Sequence, residues 1–416
     1  MAGRTDSTLR WLFGASLLAR LCYPLFDSPL THLFSDPDRH WQNGAHFLKP
    51  SMMGAGDPFL YQLWIYLLRT LTHDSAAWIL LGCGLLCAAM PYGWYRALRE
   101  LLPRRMALGG ALLIALMPSF IGIYSFFMTE TLLLTLTGFA FWCTFRLARK
   151  RTLGAWTLCC VVWSCAAFTR TIALPIALLC LGSAWLAQPQ RWLRAGVGAL
   201  ALAALAVPAA LHSRPGLGYY APFGNTYITE IYRASGRHDI ALDCGWGGSW
   251  GFGSPSFSNE TFYPFSHWTT GRTGVAAVKI NLSLGRASWL AERERVARDN
   301  PLSGRTLFAE NAAYLLFGQS WPDNNLDTLP GAASVWNRWL WLPLMLYILW
   351  GAWRRAFRGW EWLLPVCGLG MMVFLAVQTT AIMEGRYRKP IEPILLAAAI
   401  VVYARRHAGT RNPQTL

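Results

Sequence analysis

Charged side chains are scarce in this chain. Only 14% of its 416 residues are Asp, Glu, Lys or Arg, against about 25% in a soluble globular domain, and that deficit excludes an ordinary cytosolic enzyme. Lysine is nearly missing: Lys49, Lys150, Lys279 and Lys389 stand among 37 basic residues. Strictly alternating apolar and polar stretches are also lacking, which excludes a transmembrane β-barrel. Cysteine is rare in polar sequence, where Cys244 stands alone, so neither a disulfide framework nor a zinc spacing is present. No internal repeat of the kind found in secondary transporters occurs.

What the chain has instead is apolar bulk: 54% hydrophobic residues and 22 Trp, with a mean hydropathy of +0.29. Apolar runs cover roughly 11–26, 76–95, 106–127, 131–145, 153–168, 172–186, 195–211, 335–353, 362–377 and 391–403. Several approach the ~20 residues a bilayer requires. The pattern predicts an all-α polytopic membrane protein of about ten transmembrane helices. Arg4 and Arg10 before the first run resemble a signal sequence, but no small-residue cleavage site follows Phe26, so a retained first helix is expected.

The net charge of +16 suggests nucleic acid only until the basic residues are located. They cluster between apolar runs: Arg96, Arg99, Arg104 and Arg105; Arg146, Arg149, Lys150 and Arg151; Arg191 and Arg194; Arg354, Arg355 and Arg358; Arg405 and Arg406. All five clusters fall on alternate connections, which the positive-inside rule assigns to the cytoplasm. Both termini then lie inside. The remaining connections face outward: a loop over 27–75, turns at 128–131 and 169–171, a segment over 212–334 and a turn at 378–390. Of the acidic residues only Asp6, Glu100 and Glu361 stay inside, so polar chemistry is concentrated on the outer face.

Three regions follow: an N-terminal membrane module over 1–211 carrying the outer loop 27–75, an outer domain over 212–334 between helices seven and eight, and a C-terminal membrane module over 335–416. Within the outer domain, Arg286 to Gln319 reads as helix, broken at Asn300-Pro301. Gly245 to Trp268 is rich in glycine and aromatics, as suits either an interfacial anchor or a substrate-contacting loop.

The first outer loop holds Asp36-Pro37-Asp38-Arg39-His40-Trp41, then Gly44-Ala45 and Gly56-Asp57-Pro58. Asp38 reads as the opening of a short amphipathic helix, serving either as its cap or as a general base on an acceptor hydroxyl. His32, His40 and His46 lie near enough in sequence to leave room for a divalent metal beside the Asp pair, although the spacing matches no standard signature. Glu130 and Arg170 occupy tight outer turns, where snorkelling or capping competes with a role in a shared site. The turn Glu384-Gly385-Arg386-Tyr387-Arg388-Lys389-Pro390 places three cations outside, against the charge bias, and suggests an anionic ligand.

These motifs, in this order, resemble the GT-C-fold glycosyltransferases of the protein O-mannosyltransferase and aminoarabinose-transferase superfamily. The resemblance rests on Asp36, Asp38, Trp41 and Ala45, on Gly56-Asp57-Pro58, Thr129-Glu130-Thr131 and Phe168-Thr169-Arg170, on Ala297 to Pro301, and on Gly385 to Pro393. Asp-Pro-Asp stands where that superfamily often has Asp-Glu, and the outer domain sits between helices seven and eight rather than at the C-terminus. The resemblance implies an inverting transfer of a sugar from a polyprenyl-phosphate carrier to a protein, lipid or polysaccharide acceptor. It further implies residence in the cell inner membrane with the active site facing the periplasm, and no resident cofactor. Asp38, or Asp36, would be the base; Arg386, Arg388 and Lys389 would meet the phosphate; Glu130, Arg170, His40, Trp41, Glu384 and Tyr387 would bind substrate. A lipid-linked-sugar flippase, a non-catalytic assembly subunit, and a glycan polymerase or ligase are the competing readings.

Overall fold

The apolar runs fall largely on helix. The computed structural model describes residues 2–224, 240–243, 249–252, 278–281, 329–377 and 385–408, with residues 291, 294, 312, 315–318 and 322 between them. The helices are α1 (Ala2–Phe26), α2 (Ser35–Ala45), α3 (Met52–Gly56), α4 (Phe59–Thr72), α5 (Ala76–Leu101), α6 (Arg104–Leu116), α7 (Thr129–Arg149), α8 (Leu153–Thr169), α9 (Ala173–Leu186) and α10 (Arg191–Leu217). Further along the chain come α11 (Leu329–Asn337), α12 (Trp341–Trp353), α13 (Leu363–Val377), the short α14 (Gly385–Arg388) and α15 (Glu392–Ala408). Among the described residues four helices are long and apolar enough to cross a membrane by themselves, or five if the bent pair at 104–125 counts as one. α10 shows the lipid-facing character most plainly, leaving Leu200, Val207 and Leu211 exposed.

One sequence expectation is corrected. The run 106–127 is not one helix: α6 stops at Leu116, and the 3-10 turns over Pro118–Phe120 and Gly122–Ser125 leave at 76° to it. Pro118 is the cause, since the residue before a proline is pushed out of the helical region, and Met117 is extended at φ −68°, ψ 120°. The segment over 212–334 also carries short strands among its described residues. It contains β1 (Ile240–Asp243), β2 (Ser249–Phe252) and β3 (Val278–Asn281), in the order β2-β1-β3. β1 pairs antiparallel with β2, Ile240 opposite Phe252, and parallel with β3, Ile240 opposite Val278. Most of Gly245 to Trp268, the Ala297 to Pro301 motif and most of the expected helix 286–319 lie outside the described residues.

By internal contacts the chain forms two units: Met1–Gly224 with Pro343–Gly368 and Glu392–Leu416, and Asn225–Leu342 with Leu369–Ile391. In the first, α5 and α7 cross closely because glycine meets glycine. A Cβ on Gly138 would come within 2.9 Å of the Trp94 nitrogen, and one on Gly93 within 3.1 Å of the Phe139 nitrogen. Small residues at a crossing are how helices gain van der Waals contact where lipid supplies no hydrophobic drive. Thr135 reinforces the crossing by donating to the Leu86 carbonyl at 3.1 Å.

The arginine clusters gather at one end of this unit. Arg149 pairs with Glu100 at 3.4 Å. Arg194 donates to the carbonyls of Arg151 at 2.8 Å and Thr152 at 3.3 Å. Arg405 reaches both the Leu101 carbonyl and Glu361, whose carboxylate also accepts the Arg358 N–H. These contacts link all five clusters. α5 and α7 therefore carry their other ends, at Ala76 and Thr129, to the opposite face.

Candidate active site

The acidic loop folds where the sequence suggests, with a shifted start. α2 begins at Ser35, ahead of Pro37, because proline in a first helical turn gives up an N–H that would be unsatisfied anyway. Its N-cap is Phe34, with no side-chain cap bond, so Asp38 does not open or cap the helix. Asp36 and Asp38 instead both lie in the first turn, where the helix dipole favours negative charge. Asp36 pairs with Arg39 at 2.8 Å. Asp38 accepts from the Gln42 amide at 3.3 Å.

Asp57, between α3 and α4, is the hub of this loop. Its Oδ2 lies 3.2 Å from Arg39 Nε and 3.4 Å from His40 Nδ1. It also accepts from Asn43 at 2.8 Å and Gln62 at 3.4 Å. Burial pushes the Asp57 carboxyl up, but Arg39, then His40 and Asn43, outweigh it and hold its pKa below the ordinary carboxylate value. Arg39 thus ties Asp36 to Asp57, and α2 to the start of α4. Gly44 permits this closeness, since a Cβ there would fall within 2.2 Å of Ile65.

Aromatic contacts join the loop to the helix bundle. Trp41 stacks on Phe127 at 4.6 Å between ring centroids, and the Arg69 guanidinium lies 4.2 Å from the Trp41 ring. His40 meets Tyr61 edge-on at 5.2 Å, and Tyr61 lies within electrostatic reach of Glu130. Glu130, in the first turn of α7, is fully buried; Arg170, the C-cap of α8, donates to its Oε1, and Thr129 donates to its Oε2 at 3.0 Å. Asp36, Asp38, His40, Trp41, Glu130 and Arg170 therefore belong to one end of one unit, opposite the arginine clusters.

A second carboxylate network was not legible as a site. Asp27, just past α1, accepts from Tyr23 at 2.7 Å and Ser125 at 2.6 Å and pairs with His32 Nε2 at 2.7 Å. Burial raises the Asp27 pKa, and Ser125, His32 and Tyr23 together bring it below the ordinary value. The only signal was a carboxylate directly after an apolar run. His32 and His40 thus serve different carboxylates, and His46 closes α2 through its backbone N–H. Among the described residues no group of three or more His, Cys, Asp or Glu side chains converges as a metal site would require.

The cationic turn belongs to the second unit. Arg388 is buried and donates through Nη1 to the Leu315 carbonyl and, at 3.1 Å, to that of Leu316. Lys389 is fully buried, and Arg386 lies 5.7 Å from the Tyr387 ring centroid. Glu384 lies outside the described residues.

Residues 57–211 match the family of dolichyl-phosphate-mannose-protein mannosyltransferases. No curated protein matches the chain significantly. The mannosyltransferase-family match supports a membrane glycosyltransferase of GT-C type. It spans Asp57, Gln62, Glu130 and Arg170, whereas Asp36, Asp38 and the Arg386 turn lie beyond its ends.

Proposed function

We propose that this protein transfers a sugar, with inversion, from a polyprenyl-phosphate carrier to an acceptor hydroxyl on the outer, periplasmic face of the inner membrane. The observation that carries the reading is the tethering of acidic α2 beside Glu130–Arg170, through Trp41 on Phe127, at the end of the bundle remote from the arginine clusters. Asp38 is the base: its carboxylate accepts the long bond from Gln42, while Asp36 is engaged by Arg39, and Asp57 is surrounded by Arg39, His40, Asn43 and Gln62. It takes the acceptor's proton as that oxygen attacks the anomeric carbon and the carrier phosphate departs from the opposite face. Asp36 and Asp57 set the loop's position through Arg39. Glu130, Arg170, His40 and Trp41 orient sugar and acceptor, and Arg386, Arg388 and Lys389, with Glu384 and Tyr387 beside them, offset the charge growing on the leaving phosphate.

The break at Met117 is a feature the flippase reading would favour. Here, however, it is pinned by Arg20, which donates to the carbonyls of Cys87 at 2.7 Å, Ala115 at 3.0 Å and Phe120. The test is to incubate the purified protein with a panel of polyprenyl-phosphate sugars and candidate acceptors. Release of polyprenyl phosphate with an inverted glycoside is the expected result. Movement of intact donor across vesicles without cleavage would establish the flippase instead.

A further inference from the structure

The second unit contains an arginine that the sequence hides inside an apolar run. Arg338 sits in the 3-10 turn between α11 and α12, only 6% exposed. Its Nε and Nη1 are buried without a hydrogen-bond partner. Other buried arginines of the same protein are satisfied: Arg20 and Arg194 each donate to three carbonyls, and Arg388 to those of Leu315 and Leu316. A buried guanidinium with unmet N–H groups loses hydration without compensation.

Its charged neighbour makes matters worse. Arg338 lies close enough to Arg388 for the two positive charges to oppose each other. The two guanidiniums rest against nearby tryptophans, Arg338 at 5.3 Å from the Trp339 ring and Arg388 at 5.8 Å from the Trp341 ring. Cation–π contact holds such groups in place but does not supply the missing acceptors. An oxyanion beside Arg338 would satisfy its orphan N–H groups through the planar guanidinium fork.

We propose that Arg338 and Arg388 form a binding site for a phosphate group. The site itself rests on these residues alone; the assignment of its occupant to the lipid carrier rests on the transferase reading given above. Arg338 is a binding residue there, a role distinct from the proton transfer assigned to Asp38.

The test uses the full chain purified in detergent, with farnesyl phosphate, inorganic phosphate and the uncharged alcohol farnesol as probes. Arg338→Met keeps an unbranched side chain while removing an unpaired buried charge, so without ligand it should melt at or above the wild-type temperature. Its affinity for farnesyl phosphate should fall at least about tenfold, with farnesol unaffected. Arg338→Lys should also bind more weakly, because an ammonium lacks the guanidinium's planar donors. Binding of both phosphates by Arg338→Met within about twofold of wild type would overturn the proposal. So would an Arg338→Met protein that melts far lower while Arg338→Lys binds normally, which would mark a structural role. If inorganic phosphate alone binds in an Arg338-dependent way, the anion site stands and the lipid-carrier assignment falls.

Discussion

Glu130 and Arg170 form an ion pair between the first turn of α7 and the end of α8, with the carboxylate wholly buried and the guanidinium largely so. A buried charge left without its partner is far costlier than the intact pair is helpful. Arg170→Met should therefore destabilise the protein by about 3–5 kcal/mol, as should any change that strands the other charge. The double variant Glu130→Gln, Arg170→Met should recover much of that loss. Thermal unfolding of the two single variants and the double variant checks this; simple additivity would show that the two side chains are energetically independent.

Acid should act through Asp57. Its folded pKa lies below the ordinary value because Arg39, His40 and Asn43 outweigh burial. The stabilisation is thus fully present above the unfolded value near ~3.9 and is lost as pH falls through the lower, folded value. Unfolding followed from about pH 6 to about pH 3 should show wild type losing stability more steeply than Asp57→Asn. Parallel curves would mean that the network does not favour the ionised form.

Asp38→Asn removes a proton acceptor while preserving size, and the first turn of α2 holds no cap bond for it to break. Turnover should drop by at least about a hundredfold with the melting temperature nearly unchanged. Asp36→Asn, which loses the Arg39 pairing, should lower both turnover and stability. The reverse pattern would move the base two positions along α2.

Topology can be read with surface cysteines in a cysteine-depleted background. Lys49 and Lys150 are both exposed, one in the acidic loop and the other beside an arginine cluster. Lys49→Cys should react with a membrane-impermeant maleimide added from the periplasmic side, and Lys150→Cys only after the inner membrane is opened. Labelling in the opposite order would invert the orientation and remove the proposed active face from the periplasm.

Periodicity and charge made much of this legible. The apolar runs fell largely on helix, with that over 106–127 broken at Met117, and the linked arginine clusters follow from charge position alone. The acidic loop was visible because carboxylates are rare here. What escaped depended on contacts remote in sequence. Asp57 stood only as a member of the Gly56-Asp57-Pro58 motif with no role of its own, since its partners Arg39, His40 and Asn43 lie a full helix earlier. Arg338 was absorbed into an apolar run, because one cation barely alters a window of tryptophans and leucines. The start of α2 was misplaced because Pro37 looked like a boundary, whereas a first helical turn accepts it.

The bend after α6 bears on how the chain is assembled. Thirteen residues of helix rise only about 20 Å, short of the ~30 Å hydrocarbon layer. The chain continues past Leu116 as non-helical backbone, and the carbonyls of Ala115 and Phe120 are met by Arg20 of α1. Unmet carbonyls are costly in lipid, so this stretch is unsuited to partition into the bilayer unaided. A helix synthesised nearly a hundred residues earlier thus supplies the donors this stretch needs, so α1 serves as an internal chaperone for the segment that carries Ser125, Phe127 and Glu130.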